Sequence, residues 1–203
     1  MSYDGVVSRH LNRRLSRPLS AALAPTPLSP NLVTFATLGL SFGVAVMIAV
    51  GWNIAGGIGI QVVSVVDGVD GELARLKGVS TRFGAALDAI ADRYADAAML
   101  GAMTIYAARF EDWPRPEVVG ALALAGALTV SYSRARIEAS MEVAPSDGLF
   151  GFASRDVRLL GAAIGTAVGQ CYWTLAVVAV ASGLTIAWRL LALRFWPAPR
   201  VGP

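Results

Sequence analysis

Long uncharged stretches alternate with short charged ones along this 203-residue chain. Residues 32–50 contain no charged side chain over 19 positions, which is close to the roughly 20 residues that a helix needs to cross the hydrocarbon of a bilayer. The turn-forming sequence Gly51-Trp52-Asn53 follows, and residues 54–66 are again uncharged. The pattern predicts two helices that cross a membrane in opposite directions.

Three further hydrophobic stretches follow the second helix. They cover residues 83–108, 118–133 and 159–188. The last has Gly169-Gln170-Cys171 near its middle, a sequence that favours a turn between two helices, of which the first extends back to Arg155 and the second forward to about Trp196. A single long helix is the alternative. With the two-helix interpretation, the pattern predicts six transmembrane helices.

The first thirty residues follow a different pattern. Residues 4–22 combine apolar side chains with four arginines, which predicts an amphipathic helix lying in the membrane interface. Pro25, Pro27 and Pro30 then interrupt the helix and predict a rigid elbow. The predicted fold class is an all-α integral membrane protein with a single domain over residues 1–203, made of an interfacial helix and elbow (1–30) and a six-helix transmembrane bundle (31–196).

Composition and charge support a membrane protein and set its orientation. With 55% hydrophobic and 15% charged residues, the chain is too apolar for an ordinary soluble domain of this size. The sequence pI of about 9.4 does not indicate nucleic-acid binding, because the basic residues are spread between apolar stretches. Only Arg109 and Arg115 among the 17 Lys and Arg fall on the side opposite the termini. The positive-inside rule therefore predicts cytoplasmic termini in the cytoplasmic membrane.

Four aspartates stand where the apolar pattern stops. Asp67 and Asp70 are three residues apart at the end of the second helix, and Asp88 and Asp92 are four apart near the start of the third. Each pair shares a helix face, and a glycine-containing loop between the helices would let the two faces meet. Converging carboxylates repel one another without cations, and hard divalent ions suit them. A solvated helix end is the alternative, but acids within a membrane are costly and usually functional.

The residues around these acids resemble the signature of the CDP-alcohol phosphotransferase family. The pattern Asp-x2-Asp-Gly-x2-Ala-Arg-x8-Gly-x3-Asp-x3-Asp is matched at every fixed position. These positions are Asp67, Asp70, Gly71, Ala74, Arg75, Gly84, Asp88 and Asp92. The resemblance implies transfer of a substituted phosphate group from a CDP-linked alcohol to an acceptor hydroxyl, with release of CMP.

The carboxylates of the motif are the candidate metal ligands. We expect two divalent cations, Mg²⁺ or Mn²⁺, held by Asp67, Asp70 and Asp88, because metals that bridge a pyrophosphate would offset the charge that develops as CMP leaves. Asp92 would share a metal or act as the catalytic base. The resemblance favours the base, since the fourth aspartate position of the family is proposed to activate the acceptor hydroxyl.

The other motif residues are candidates for binding the donor nucleotide. Gly71 and Gly84 lack a Cβ and would allow close approach of a backbone or of the nucleotide, although helix packing through small residues explains them equally well. Ala74 is included by its motif position. Arg75 can donate to a phosphate, and its alternative role is that of a positive-inside charge.

Arginines at the predicted cytoplasmic helix ends are candidates for binding the acceptor. Arg155 and Arg158 share a face at the start of the fifth helix, and Arg134 and Arg189 reach the same level. Because guanidinium groups suit bidentate phosphate binding, we hypothesise a phosphorylated acceptor, with inositol phosphate the first candidate. The alternatives are ordinary positive-inside charges and, for Arg134, a surface pair with Glu138.

Longer segments resemble the di-myo-inositol-phosphate phosphate synthase branch of the family. This resemblance implies CDP-inositol as donor, inositol phosphate as acceptor, and a homodimer. Members of the branch are often fused to a cytidylyltransferase domain that makes CDP-inositol, and no such domain occurs in these residues. The similar phosphatidylinositol-phosphate synthases use CDP-diacylglycerol instead, so the donor alcohol stays open. The segments that carry the resemblance are residues 17–31, 70–78, 87–96 and 154–159.

A membrane transporter with intramembrane acids is the alternative from another class of protein. Transport acids are expected near the middle of the bilayer, between two inverted halves of the chain. Here the acids cluster at one end of two helices, and the sequence has no visible internal symmetry. The placement favours the enzyme.

Overall fold

The structure is a computed structural model that describes residues 12–141 and 154–195. Within these residues all regular secondary structure is helical, which confirms the all-α prediction. The helices are α1 (Arg13–Leu23), α2 (Pro30–Ala49), α3 (Asn53–Val66), α4 (Val69–Leu76), α5 (Arg82–Phe110), α6 (Pro116–Met141), α7 (Arg155–Ala167) and α8 (Cys171–Phe195).

The larger helices pack around one core. Helix α2 lies against α3 and α5, α3 against α7, and α6 against α5 and α8. Ile48, Ile60 and Met103 are fully buried where α2, α3 and α5 meet. Small residues bring helices close together: a Cβ added to Gly126 of α6 would lie 2.7 Å from the Cβ of Ser182 on α8. This is the kind of packing used between helices in membranes.

Among the described residues, four segments are long and apolar enough to cross a membrane. They are Pro30–Ala49, Asn53–Leu76, Pro116–Ser140 and Cys171–Phe195. Their outer faces expose large apolar side chains such as Phe35 and Val46, which a lipid environment accommodates and water does not. The chain is therefore a helical membrane protein. The number six for the transmembrane helices stays a prediction, since α5 carries several charges and α7 has only 13 residues.

The stretch from residue 159 to 188 is divided in two, as the two-helix interpretation predicts. Helix α7 ends at Ala167 and α8 begins at Cys171. The turn contains Gly169 with a φ of +71°, a backbone conformation that glycine adopts at little cost. The suggested end of the last helix at Trp196 lies outside the described residues.

The loop predicted after Asp70 is largely a helix. Helix α4 begins at Val69, directly after an interruption of the helix at Asp67 and Gly68. Its sequence Val-Asp-Gly-Glu-Leu-Ala-Arg-Leu contains several strong helix formers. It also places acidic residues in the first turn and Arg75 in the last, where the helix dipole favours them. The glycines of this segment favoured the prediction of a loop, although its other residues favour a helix.

The N-terminal segment lies beside α4. The described part of the predicted interfacial helix is α1, and residues 4–11 of the prediction lie outside the described residues. Helix α1 buries Ser16 and Ser20 and exposes Leu15 and Leu19. The elbow ends where Ser29 caps α2, its hydroxyl accepting from the backbone N–H of Leu32 at 3.2 Å.

The turns 50–52, 111–115 and 168–170 lie together at one end of the bundle, called here the distal end. A guanidinium nitrogen of Arg109 donates to the carbonyl of Ala49 at 3.2 Å, which joins the first two turns. The rings of Trp113 and Trp173 are 5.0 Å apart between centroids, which joins the second and third. Tryptophans at this level are typical of a membrane interface.

Candidate active site

The predicted aspartates converge at the opposite end of the bundle, called here the acidic end. Asp67 ends α3, while Asp88 and Asp92 lie in the first three turns of α5. Each of these three carboxylates offers an oxygen within 4.8 Å of the other two. Thr81 fixes the start of α5 because its hydroxyl accepts from the backbone N–H of Gly84 at 3.0 Å. The structure thus brings together two acids from one helix and one from another.

Asp70 lies beside this group but is held differently. Its carboxylate is buried and accepts from the Thr34 hydroxyl on α2 at 2.5 Å and from the backbone N–H of Gly71 at 2.6 Å. Asp67, Asp70 and Asp88 line one small cavity with residues of α2 and α5. The cavity lining also includes Thr34, Thr37, Leu38, Ser41, Ala91 and Ala95. Asp70 therefore faces the same space as the other acids.

Arg155 of α7 reaches into the aspartate group. One guanidinium nitrogen donates to the carboxylate of Asp67 and lies 3.0 Å from an oxygen of Asp92. Its Nε donates to Asp96 at 3.2 Å. Asp96, which is 4% exposed, also accepts from Arg158 at 2.9 Å. A fifth aspartate thus holds both arginines of α7 beside the predicted metal ligands.

Sequence reasoning did not assign a function to Asp96 or Thr34. Asp96 continues the four-residue interval of Asp88 and Asp92 along α5, and that spacing could have identified it. Thr34 gives no comparable signal, because a threonine near the start of an apolar helix most often bonds within its own helix. Its contact with Asp70 depends on how α2 and α4 pack.

The four candidates for donor binding lie on α4 and at the start of α5. Arg75 is exposed, and a Cβ added to Gly71 would lie 3.5 Å from its guanidinium nitrogen Nη1. A Cβ on Gly84 would lie 3.2 Å from the Thr81 hydroxyl and 3.4 Å from the Asn31 side-chain oxygen. Gly84 thus permits a close approach of α5 to the start of α2, in line with its packing alternative. Ala74 is half-buried on α4.

The four candidate acceptor arginines have different surroundings. Arg155 and Arg158 bind aspartates of the acidic end. Arg189 is 3% exposed and donates to the carbonyl of Val130 and the hydroxyl of Ser133, which ties α8 to α6. Arg134 pairs with Glu138 at 3.0 Å one turn further along α6, the contact expected of a surface pair. Of the four, Arg155 and Arg158 are the ones that the described contacts join to the predicted metal ligands.

The charge balance of the acidic end suits a divalent cation. Five carboxylates, Asp67, Asp70, Asp88, Asp92 and Asp96, face three guanidinium groups, Arg93, Arg155 and Arg158, which leaves a formal excess of two negative charges (five minus three). Carboxylate oxygens are the ligands that Mg²⁺ and Mn²⁺ prefer. The donor set therefore fits the metals expected from the sequence.

Fold and site together define a helical membrane protein with a carboxylate and arginine site at one end of its helices, suited to metal ions and phosphate groups. The family model for CDP-alcohol phosphatidyltransferase matches residues 27–196, and the chain belongs to this family. The family predicted from the aspartate signature is thereby confirmed. Membership favours a transferase over the transporter considered as an alternative.

Similar proteins with assigned names fall into two groups. A bifunctional IPC transferase and DIPP synthase from Rubrobacter xylanophilus is 41% identical over 191 residues, covering 94% of this chain and 43% of that protein. This chain therefore spans less than half the length of that relative. A phosphatidylinositol phosphate synthase from Mycolicibacterium smegmatis is 34% identical over 207 residues, covering 97% of this chain and 91% of that protein.

Solved structures of a phosphatidylinositol phosphate synthase from Mycobacterium tuberculosis have the same fold. The form with bound CDP-DAG aligns with a TM-score of 0.78 at 28% identity, over 94% of this chain and 98% of that one. The form in complex with manganese and citrate aligns with a TM-score of 0.78 at 28% identity, over 93% of this chain and 92% of that one.

Proposed function

We propose that this chain transfers a substituted phosphate group from a CDP-linked alcohol to an acceptor hydroxyl and releases CMP. The observation that carries the proposal is the convergence of Asp67, Asp88 and Asp92 within 4.8 Å. All three belong to the signature of the family to which the chain belongs. A purely structural acid cluster would not require these residues at the fixed spacings of that signature.

Two substrate pairs are candidates. CDP-inositol with inositol phosphate, giving di-myo-inositol phosphate phosphate, is the first choice because the relative at 41% identity is named a DIPP synthase. CDP-diacylglycerol with inositol phosphate is the second. It is supported by phosphatidylinositol phosphate synthases that match this chain over most of their own length, and by the fold shared with the structure that contains CDP-DAG. Both pairs share a phosphorylated acceptor.

Asp67, Asp70, Asp88 and Asp92 would hold two divalent cations, Mg²⁺ or Mn²⁺. When bound, such cations neutralise the pyrophosphate of the donor and the charge that develops on CMP. Manganese in a solved structure of the same fold supports this assignment. The contacts of Asp70 with Thr34 and Gly71 fix the direction of its carboxylate.

Asp92 is proposed as the base that takes the proton from the acceptor hydroxyl at a carboxylate oxygen. Arg155 lies 3.0 Å from that carboxylate. A phosphate bound by Arg155 would therefore bring the rest of the acceptor close to Asp92. Holding the hydroxyl near its base in this way converts an encounter of two molecules into a step within one complex.

The acceptor phosphate would be bound by Arg155 and Arg158. Asp96 contacts both guanidinium groups and so fixes their positions. Arg134 and Arg189 remain further candidates, which would require contacts other than those described for them. Gly71, Ala74, Arg75 and Gly84 are proposed to bind the donor nucleotide, with the exposed Arg75 side chain available to its phosphates.

The proposed arrangement in the membrane follows the charge pattern. Helices α2, α3, α5, α6, α7 and α8 would form the six-helix bundle of a single domain, with α1 lying in the interface. The acidic end and both termini would face the cytoplasm, because 15 of the 17 Lys and Arg (all but Arg109 and Arg115) fall on that side. A homodimer, which the family resemblance implies, completes this proposal.

The test is release of CMP by the purified protein. It would be incubated with inositol phosphate, Mg²⁺ and either CDP-inositol or CDP-diacylglycerol in lipid nanodiscs. We expect turnover with one of the two donors, loss of turnover with EDTA, and recovery with excess Mn²⁺. Absence of CMP release with both donors, from protein that is folded and monodisperse, would refute this function.

A further inference from the structure

Helix α4 carries a charged residue, Glu72, on the side that faces away from Asp70. Asp70 and Arg75 belong to the family signature, whereas Glu72 occupies one of its unspecified positions. Two residues along a helix correspond to a rotation of about 200°, so Asp70 and Glu72 point to opposite sides. The Glu72 side chain is therefore not placed to hold a metal together with Asp70.

The Glu72 side chain binds helix α1. Its carboxylate oxygen Oε2 accepts from the hydroxyl of Ser16 at 3.2 Å and from that of Ser20 at 3.0 Å. Both serines are buried, at 2% and 0% exposure. Hydrogen bonds to an ionised carboxylate are stronger than those between neutral groups, and more so when water is excluded. The first turn of α4 is therefore tied to α1.

Lys77 ties the other end of α4 to the elbow between α1 and α2. Its ammonium group donates to the carbonyl of Thr26 at 2.6 Å and to that of Leu28 at 2.7 Å. The prolines of the elbow supply no backbone N–H groups, which reduces its capacity for regular hydrogen bonding. Lys77 thus satisfies two carbonyls that the elbow leaves available.

The apolar residues of α4 also pack against the N-terminal segment and the start of α2. Val69 and Leu73 are fully buried in a small cluster with Val33, packed against Leu23 and Ala24. This cluster is separate from the main core of the bundle. A helix of eight residues is not stable by itself. Contacts with the N-terminal segment therefore contribute directly to the position of α4.

We propose that Glu72 and Lys77 are positioning residues that fasten the signature helix α4 to the N-terminal segment, and thereby hold Asp70 and Arg75 in register with the acids of α3 and α5. The kinetic part of this inference rests on the proposed function. The mechanical part does not, because it concerns only the position of α4 relative to α5.

The inference predicts a change in one Michaelis constant and not the other. The double variant Ser16→Ala/Ser20→Ala removes both hydroxyl groups that bind Glu72. It should raise KM for the CDP-linked substrate at least about fivefold, as expected for loss of hydrogen bonds to a charged group. KM for the acceptor should stay within about twofold, because its proposed ligands lie on α7. A role in stability alone would lower the active fraction and leave both constants unchanged.

Variants of Glu72 and Lys77 refine the test. Glu72→Gln keeps an acceptor oxygen for the serines and should affect donor KM less than Glu72→Ala. Lys77→Met keeps the apolar stem and should raise donor KM in the same direction. The matched control is Ser182→Ala, which removes an equally buried hydroxyl from α8, far along the chain from α4. It should leave both constants unchanged.

A distance measurement separates this inference from the proposed function. Spin labels would be placed at the exposed positions Leu76 on α4 and Tyr94 on α5 in a Cys171→Ala background. Pulsed electron resonance should show a broader label-to-label distribution in the double serine variant than in the unsubstituted protein. An unchanged distribution together with unchanged donor KM overturns the positioning role. Broadening in a protein without CMP release leaves that role standing and refutes the catalytic proposal instead.

Discussion

The two ends of the helical bundle use charged side chains in different ways. At the distal end, the Glu111 carboxylate accepts from the backbone N–H groups of Cys171 at 2.7 Å and Tyr172 at 3.0 Å. These are the first N–H groups of α8, which a helix cannot satisfy internally. The charge serves as a helix cap, and its partners are fixed parts of the backbone.

At the acidic end, aspartates of α3 and α5 are paired with arginine side chains of α7. Arg155 of α7 contacts Asp67 of α3 and both Asp92 and Asp96 of α5. Grouping like charges in this way is costly, and it does not satisfy helix ends as Glu111 does. A charge bound to the backbone fixes the fold, whereas a group of mutually facing side chains can exchange partners with a ligand.

The largest effect on activity is expected from substitution of the proposed metal ligands at the acidic end. We expect Asp67→Asn, Asp70→Asn and Asp88→Asn each to nearly abolish CMP release, because each removes a charged oxygen ligand. The measurement is initial rate at saturating Mg²⁺. Asp112→Asn, which neutralises an exposed acid at the distal end, is the matched control and should keep full activity. Activity above a tenth of the unsubstituted rate in all three acidic-end variants would refute the metal assignment.

The next largest effect on the rate of CMP release is expected for Asp92→Asn. Loss of a general base typically lowers the rate by about 100-fold or more, and we expect kcat to fall while the affinity for the CDP-linked donor changes little. Rate and donor binding would be measured separately, by CMP release and by calorimetry. A parallel loss in both would show that Asp92 acts as a metal or substrate ligand and not as the base.

A smaller effect is expected at the arginines that face the acids. Arg155→Ala or Arg158→Ala should raise the acceptor KM about tenfold, equivalent to about 1.4 kcal/mol, with donor binding nearly unchanged. Arg136→Ala removes an exposed charge near the end of α6 and serves as control. Equal use of free inositol and inositol phosphate by the unsubstituted protein would contradict a phosphate-binding role for both arginines.

Much of the fold could be predicted because it follows from local patterns. The uncharged run beginning near residue 32 became α2, Pro30–Ala49, and the glycine at residue 169 marked the break between α7 and α8. The spacing of Asp88 and Asp92 placed both on one helix face, and their meeting with Asp67 required only that the segment between α3 and α5 reverse the direction of the chain. Periodicity and turn residues carry this information within a short window.

The contacts that complete the site could not be predicted in the same way. Arg155 reaches Asp67 across 88 positions of sequence, and Ser16 reaches Glu72 across 56. Such partners are set by how the helices pack, and an arginine in a positive-inside pattern gives no sign of which acid it will meet. The helical state of α4 was not predicted for a related reason. Its glycines suggested a loop, whereas the charges in its first and last turns and the buried Val69 and Leu73 stabilise a helix.

The smallest effect on activity is expected at the distal end, where a substitution should lower stability and leave turnover nearly unchanged. Glu111→Gln keeps a hydrogen-bond acceptor for α8 but loses the negative charge that favours the N-terminus of that helix, a loss of about 1 kcal/mol. We expect a lower midpoint of thermal unfolding, read from tryptophan fluorescence because Trp113 and Trp173 lie in the adjacent turns. CMP release at low temperature should stay within about twofold, since no proposed catalytic group lies at this end.

Glu117→Gln, which neutralises an exposed acid in the first turn of α6, should lower the midpoint less because its side chain is exposed to solvent. A large loss of turnover in Glu111→Gln at unchanged thermal stability would show that the two ends are coupled, and would remove the division of roles between them.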